Sequence, residues 1–503
     1  MLKLFGGGKP DHPMADPKEA RRILEELPAQ DVQKALEELG DWMESVAGAE
    51  GFKPADRVQL LCQVDEAAQP RLRKLVRDYL ASARPSKFQE MRLWGAIHGY
   101  WSHAGRAYAQ AVDQFVTGAK GADGAKALLP LLLVRTLRSL SQQIKWMHMR
   151  YGPIDMTVWG IFNRVYGFAE FRAVANSPVT VYPGVAGEST PQQEFLKGVV
   201  FSASSPDAML PLEVELAERI IGEFTPRFTL GAQPAEDTAY WLDIAQNMAP
   251  QRLVRPPQAS PTLRCFSAAS ALSEVNDLVA RIRSGGQVPS SLNLGGTYDP
   301  DVVLEVLEHL ALYWSTEPPE RKHPRHAVKS RLSVGHGYEG ALAALGMPVS
   351  LDFDAGAVES WIVENVSAGG FGAVVPQIKG DWLKVGALLA LQPEGGSNWV
   401  VGIVRRLSKI GTSQARVGIQ TLSKQPSAWQ FDTGVATEVG MLLRAADSEG
   451  GEVSIVLKPG VFVPGQKLES EQNGRLHMFL PQALSDKGDD YEIGRFREMI
   501  REG

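Results

Sequence analysis

Apolar residues recur at three- and four-residue steps through residue 225 of this 503-residue chain. Leu36, Leu39, Trp42, Met43 and Val46 would share one face of an amphipathic helix. Similar stripes run through Leu75 to Leu80, Leu93 to Val116, Leu128 to Met147 and Leu210 to Ile221. Asp16, Pro17 and Glu19 supply a cap, a first-turn proline and an early acid, so the first helix is expected to open there. No fixed period recurs, which argues for a bundle or array over residues 16–225 rather than a solenoid. Residues 1–15, rich in Gly, Pro and small polar residues, read as a flexible tail.

The pattern changes near residue 226. Short strand-like runs at Arg227 to Leu230, Thr238 to Leu242 and Thr262 to Phe266 precede two helices, Ala271 to Ser284 and Pro300 to Trp314. Residues 226–317 therefore form either a small α/β module or the closing layer of the helical domain. Pro318 and Pro319 then make a stiff connector. Beyond it, period-two alternation and short buried runs, such as Val401 to Val404 and Arg416 to Ile419, predict about six strands up to residue 424. A second β series over 436–503 has runs at Met441 to Ala445, Glu452 to Leu457, Val461 to Val463 and Arg475 to Leu480. Tyr491 to Ile500 is expected to be a docking helix. The fold class is multidomain α + β: a helical bundle, an antiparallel β-barrel, and a second small β module.

Composition narrows the function classes. Apolar content of 44% and charged content of 22% describe an ordinary globular chain. A net charge of −6 argues against binding a nucleic acid polymer. Cys62 and Cys265 stand far apart with no partners at metal spacing, so neither a metal nor a disulfide framework is expected. The N-terminus lacks the apolar core of a signal peptide, and the run Ala127 to Val134 is too short to span a bilayer. A cytoplasmic protein is expected. His98 and His103, five residues apart, would point about 140° away from each other on a helix and so belong to an aromatic core rather than a shared metal.

The distinctive chemistry lies at residues 318–424. The linker reads Glu320-Arg321-Lys322-His323-Pro324-Arg325, and a strand end further on reads Asn365-Val-Ser367-Ala-Gly369-Gly370. Arginines four apart can grip an anion in two places, since each guanidinium offers a planar fork of donors. An amide and a hydroxyl beside glycines add donors, acceptors and bare backbone. Read singly, linker arginines are ordinary solvated charges, and Asn, Ser and Gly are what turns require. Read together, they suit a planar, polar anion better than a metal or a covalent reaction.

Arg321-x-x-x-Arg325 followed by Asn365-x-Ser367-x-x-Gly370 resembles the paired motif of PilZ domains, bacterial receptors for cyclic di-GMP. The resemblance covers about residues 318–424. It implies that Arg321 and Arg325 hold phosphate and guanine, and that Asn365, Ser367 and the backbone at Gly369 and Gly370 read a guanine edge. Lys322 stands where many members carry a further arginine, and the gap between the halves is long. Lys322, Arg405 and Arg406 are second-rank ligand residues, the two strand arginines reading equally well as surface charges.

Between the halves lies Gly335-His-Gly337-Tyr-Glu-Gly340, a literal dinucleotide fingerprint. Only about eight residues follow before Gly346, too few for a crossover helix, so it reads as a short helical insertion. No catalytic residue is nominated, because the nucleophile-elbow, zincin, Walker and Cys-x-x-Cys patterns are all missing. The expected function is non-enzymatic: a receptor for cyclic di-GMP, without cofactor, that relays the signal by domain rearrangement or by binding a protein partner through its helical domain. The alternative is an interaction scaffold whose barrel no longer binds nucleotide.

Overall fold

The computed structural model describes residues 10–81, 86–255, 257–319, 323–347, 358–443 and 451–502, with residues 501 and 502 by backbone alone. The chain divides into two compact units. One comprises Met1–Pro206 and Pro211–Glu320, the other Asp207–Leu210 and Arg321–Gly503.

The first unit is built on α1 (Pro17–Glu25), α2 (Val32–Gly48), α3 (Pro54–Ala81), α4 (Lys87–Val116), α5 (Leu129–His148), α6 (Met156–Phe171), α7 (Pro191–Ala203) and α8 (Pro211–Phe224). Asp16 caps α1 as its position promised, accepting from the Lys18 and Glu19 amides. The expected tail is described only from Pro10, and that part is packed: Pro13–Ala15 form a 3-10 turn that buries Met14, and His12 sits edge-on to Trp42. His98 stacks on Trp94 at 4.5 Å and His103 faces Glu44, so these histidines are packing and surface groups.

A chain of buried charge holds the long helices in register. Asp65, fully buried on α3, accepts from the hydroxyls of Tyr100 and Tyr108 on α4. Arg135 on α5 lies 3.5 Å from it and donates to the carbonyls of Cys62 and Val181. Removing one member would strand a charge in a dry interior, which fixes one alignment of helices more than it adds stability.

Strands β1 (Val179–Thr180) and β2 (Glu188–Ser189) pair with each other before α7. Strands β3 (Thr229–Gly231), β4 (Tyr240–Asp243), β5 (Gln251–Arg252) and β6 (Leu263–Ser267) form an antiparallel sheet in the order β3-β6-β4-β5. Helices α9 (Leu272–Arg283) and α10 (Pro300–Trp314) follow. This layer docks on the helices: Asn163 of α6 donates to the carbonyls of Gln246 and Met248, and Trp314 donates to Ser204 at the end of α7.

The second unit holds two closed antiparallel barrels. The first uses β7 (His326–His336), β8 (Glu359–Ser367), β9 (Gly370–Val375), β10 (Leu388–Pro393), β11 (Val400–Lys409) and β12 (Ala415–Ser423), with α11 (Gly337–Ala344) inserted after β7. The second uses β13 (Ser427–Asp432), β14 (Thr437–Leu443), β15 (Glu452–Leu457), β16 (Leu468–Gln472), β17 (Arg475–Lys487) and β18 (Glu492–Glu502). The expected docking helix is therefore a strand. Ile493, Phe496 and Ile500 mimic a helical stripe, but β18 pairs with β15 on one side and β17 on the other. Val461 to Val463, expected as a strand, lies in the loop between β15 and β16, and β13 and β16 were not anticipated.

The barrels are not independent beads. Tyr338 and Leu342 of α11, Leu388 and Ile403 of the first barrel, and Met441, Val456 and Tyr491 of the second share one core. The Tyr491 hydroxyl donates to the Gly386 carbonyl at 2.8 Å, and Tyr338 donates to the Val439 carbonyl. Met441→Ala, at a fully buried position in the second barrel, should cost about 2–5 kcal/mol. Because the core is shared, hydrogen exchange should quicken in β10 and β11 of the first barrel as well. Protection there that is unaltered by the substitution would mean that the barrels open separately.

Candidate functional site

The candidate site forms where the β8–β9 turn meets β11 and β12. Gly370 fits there because its neighbour leaves no room: a Cβ would stand 1.9 Å from the carbonyl oxygen of Ile419. The Gly369 carbonyl accepts from the Thr421 amide at 3.0 Å. These contacts hold the glycine turn against β12, so its backbone becomes one wall of a cavity of about 420 Å³. Ser367 is the next wall. Its hydroxyl reaches the Gly370 carbonyl only at 3.4 Å, a long contact that leaves the group weakly engaged.

The cationic wall depends on an irregularity in β11. Val404 pairs with Ile419 and Arg406 with Gly418, so Arg405 is an extra residue, a β-bulge. Successive side chains of a regular strand point to opposite faces. The bulge resets that alternation, and Arg405 and Arg406 both line the cavity. His323 and Arg325 line it from the approach to β7, with His323 beside Gly369. Among the described lining residues none is acidic. Such a wall favours an anion, and the bare glycine backbone lets a flat ligand come close.

Arg405 is fixed by two partners. Its Nε donates to the Gln420 side chain at 2.7 Å, and its Nη2 to Asp486 of the second barrel at 2.6 Å. Of the residues the sequence nominates, Arg325, Ser367, Gly369, Gly370, Arg405 and Arg406 come together here. Arg321 and Lys322 lie outside the described residues. Asn365 stands apart from the lining. It sits opposite Gly372, where a Cβ would come 2.6 Å from its Oδ1, so the amide is folded over that glycine. Its Oδ1 is buried without a hydrogen-bond partner among the described residues. His323, Gln420 and Asp486 were not foreseen. His323 had a visible signal in its place between Lys322 and Arg325, whereas Gln420 and Asp486 had none.

The fingerprint Gly335–Gly340 lines a different and larger cavity, of about 940 Å³. The amide that would greet a phosphate at the start of α11, that of Tyr338, already donates to the Asp490 carboxylate at 2.7 Å. With a carboxylate on its N-terminus, this short helix offers no phosphate cradle. Among the described residues no cluster of three or more His, Cys, Asp or Glu could hold a metal, and no helix is long and apolar enough to cross a membrane.

No curated protein matches the chain. A family model does, over residues 18–235: the chain is there similar to the N-terminal domain of the cyclic-di-GMP receptor FimW, a match that spans α1 to β3 and stops short of both barrels.

Proposed function

We propose that this chain is a non-enzymatic cyclic di-GMP receptor whose first barrel is PilZ-like and holds the nucleotide in the cavity between the β8–β9 turn and the bulge of β11. The observation that carries the reading is the convergence of Arg325, Ser367, Gly369 and Gly370 with two further arginines on a cavity whose described lining has no acid. The helical region's similarity to a domain of a cyclic-di-GMP receptor supports the same ligand from an independent part of the chain. In this reading Arg325 and Arg321 clamp phosphate and stack on guanine, while Ser367 and the glycine backbone meet a base edge. Asn365 would turn its amide off Gly372 to join them. The helical region engages a protein partner, and the site of action is the bacterial cytoplasm.

Calorimetric titration with cyclic di-GMP tests it directly. Arg325→Ala should cost about 1.5–3 kcal/mol of binding, tenfold or more in affinity. Ser367→Ala should weaken binding with the melting temperature unchanged, whereas Gly370→Ala should lower both, because its Cβ collides with the β12 backbone. Wild type that takes up no nucleotide would leave the interaction-scaffold reading in its place.

The chain passes from one unit to the other at Glu320 and Arg321, so a nucleotide held by Arg321 and Arg325 tethers the connector. If its contacts differ between arrangements of the two units, it biases them. Ligand should then slow hydrogen exchange over residues 315–330 and change the small-angle scattering profile. Binding that alters neither would place the output on the ligand-covered surface alone.

A further inference from the structure

The second barrel lacks the motif that nominates the first, yet it bonds to an arginine that lines the first barrel's cavity. Its β17–β18 hairpin carries the acidic stretch Ser485-Asp486-Lys487-Gly488-Asp489-Asp490-Tyr491. Four of these residues bond to the first barrel. Asp486 takes Arg405, Asp489 takes Lys384, Asp490 accepts from the Tyr338 amide, and Tyr491 donates to the Gly386 carbonyl. Asp486 stands where it does because β17 is itself bulged. Leu484 pairs with Gly494 and Asp486 with Ile493, leaving Ser485 extra and bonded through its hydroxyl to the Ile493 carbonyl at 2.9 Å. Two bulges, one in each barrel, thus bring Arg405 and Asp486 face to face.

We propose that Asp486 is a positioning residue for the ligand cavity, and that Arg405, held by it, is a direct anion-binding residue; this rests on the cyclic di-GMP reading above. Arg405 is about two-fifths exposed and its side chain is long, so a free guanidinium would have to be ordered when a ligand arrives. The bonds to Gln420 and Asp486 use Nε and Nη2, and neither uses the donors of Nη1. An arginine fork can serve two partners at once, and ordering it beforehand removes a cost that binding would otherwise bear. The shared core around α11 gives the arrangement its rigidity, since Asp486 cannot drift from the first barrel while Tyr491 and Ile493 are buried in that core. The opposing effect is repulsion between the Asp486 carboxylate and an anionic ligand. That repulsion acts across the open cavity and is screened there, whereas the bonds that hold Arg405 are direct contacts.

The test is calorimetric titration of the full chain with cyclic di-GMP for wild type, Asp486→Ala, Asp486→Asn, Arg405→Ala and the Asp486→Ala/Arg405→Ala pair. Arg405→Ala should lose about tenfold in affinity. Asp486→Ala should lose about three- to fivefold, the scale of a partly exposed pair, with Asp486→Asn in between. The double variant should bind no worse than Arg405→Ala alone, because Asp486 acts only through that arginine. Losses that multiply, or equal or tighter binding by Asp486→Ala at unchanged melting temperature, would overturn the proposal while leaving the receptor reading intact. Failure of wild type itself to bind would overturn both.

Discussion

The second unit depends on the burial of one small helix. α11 is eight residues long and could not stand alone in water. It exists because Tyr338, Ala341 and Leu342 are enclosed between two barrels, and it is started by a carboxylate from the far one. Each barrel closes its own hydrogen-bonding ladder, so edge pairing is not what joins them. What joins them is apolar area: side chains from β10, β11, β14, β15 and β18 all turn toward the same helix. The polar bonds at the seam, from Tyr338, Tyr491 and Asp490, fix the angle at which that area meets.

The candidate cavity inherits this rigidity. Its floor is β12, its turn is pressed to that floor by a glycine that admits no side chain, and its arginines are aimed by a bulge. None of these features needs a ligand to form. A site preorganised by backbone geometry spends less of its binding energy on ordering. Arg405 extends the dependence across the seam, because the residue that steadies it belongs to the other barrel.

The first unit uses a different device. Besides Asp65 and Arg135, a second cluster sits among α5, α7 and α8, where Arg138 and Lys197 meet the buried Glu194. Burial pushes the Glu194 carboxyl up, but the two cations outweigh it and hold it well below the usual carboxylate range. Lys145 pairs with Glu215 and Glu218 in the same region. Charges satisfied in this way restrict how the helices can slide past one another, as apolar stripes alone would not.

The sequence by itself determined the helices, the fold class and the motif halves, because these are local. Asp16 caps a helix three residues before Glu19 whatever surrounds it, and the apolar run of β11 and the alternation of β12 show without knowledge of their partners. It also carried the stretch from Asn365 to Gly370 where β8 gives way to β9, and the fingerprint's short helix, whose length argued against a crossover. What it could not carry was register between distant strands. Arg405 and Arg406 read equally well as ligand residues or as surface charges, and only the pairing with β12 reveals the extra residue that lets both line one cavity. β18 read as a helix because Ile493, Phe496 and Ile500 are spaced three and four apart; in the strand Ile493 and Phe496 lie on opposite faces and enter different cores, and only its two neighbours decide between the readings. Asn365 kept its place in the motif but was turned onto Gly372, a contact set by the pairing of β8 with β9. Asp486 lies 81 residues from the arginine it holds. No periodicity links the two; they meet only because each barrel has closed and both have buried the same helix.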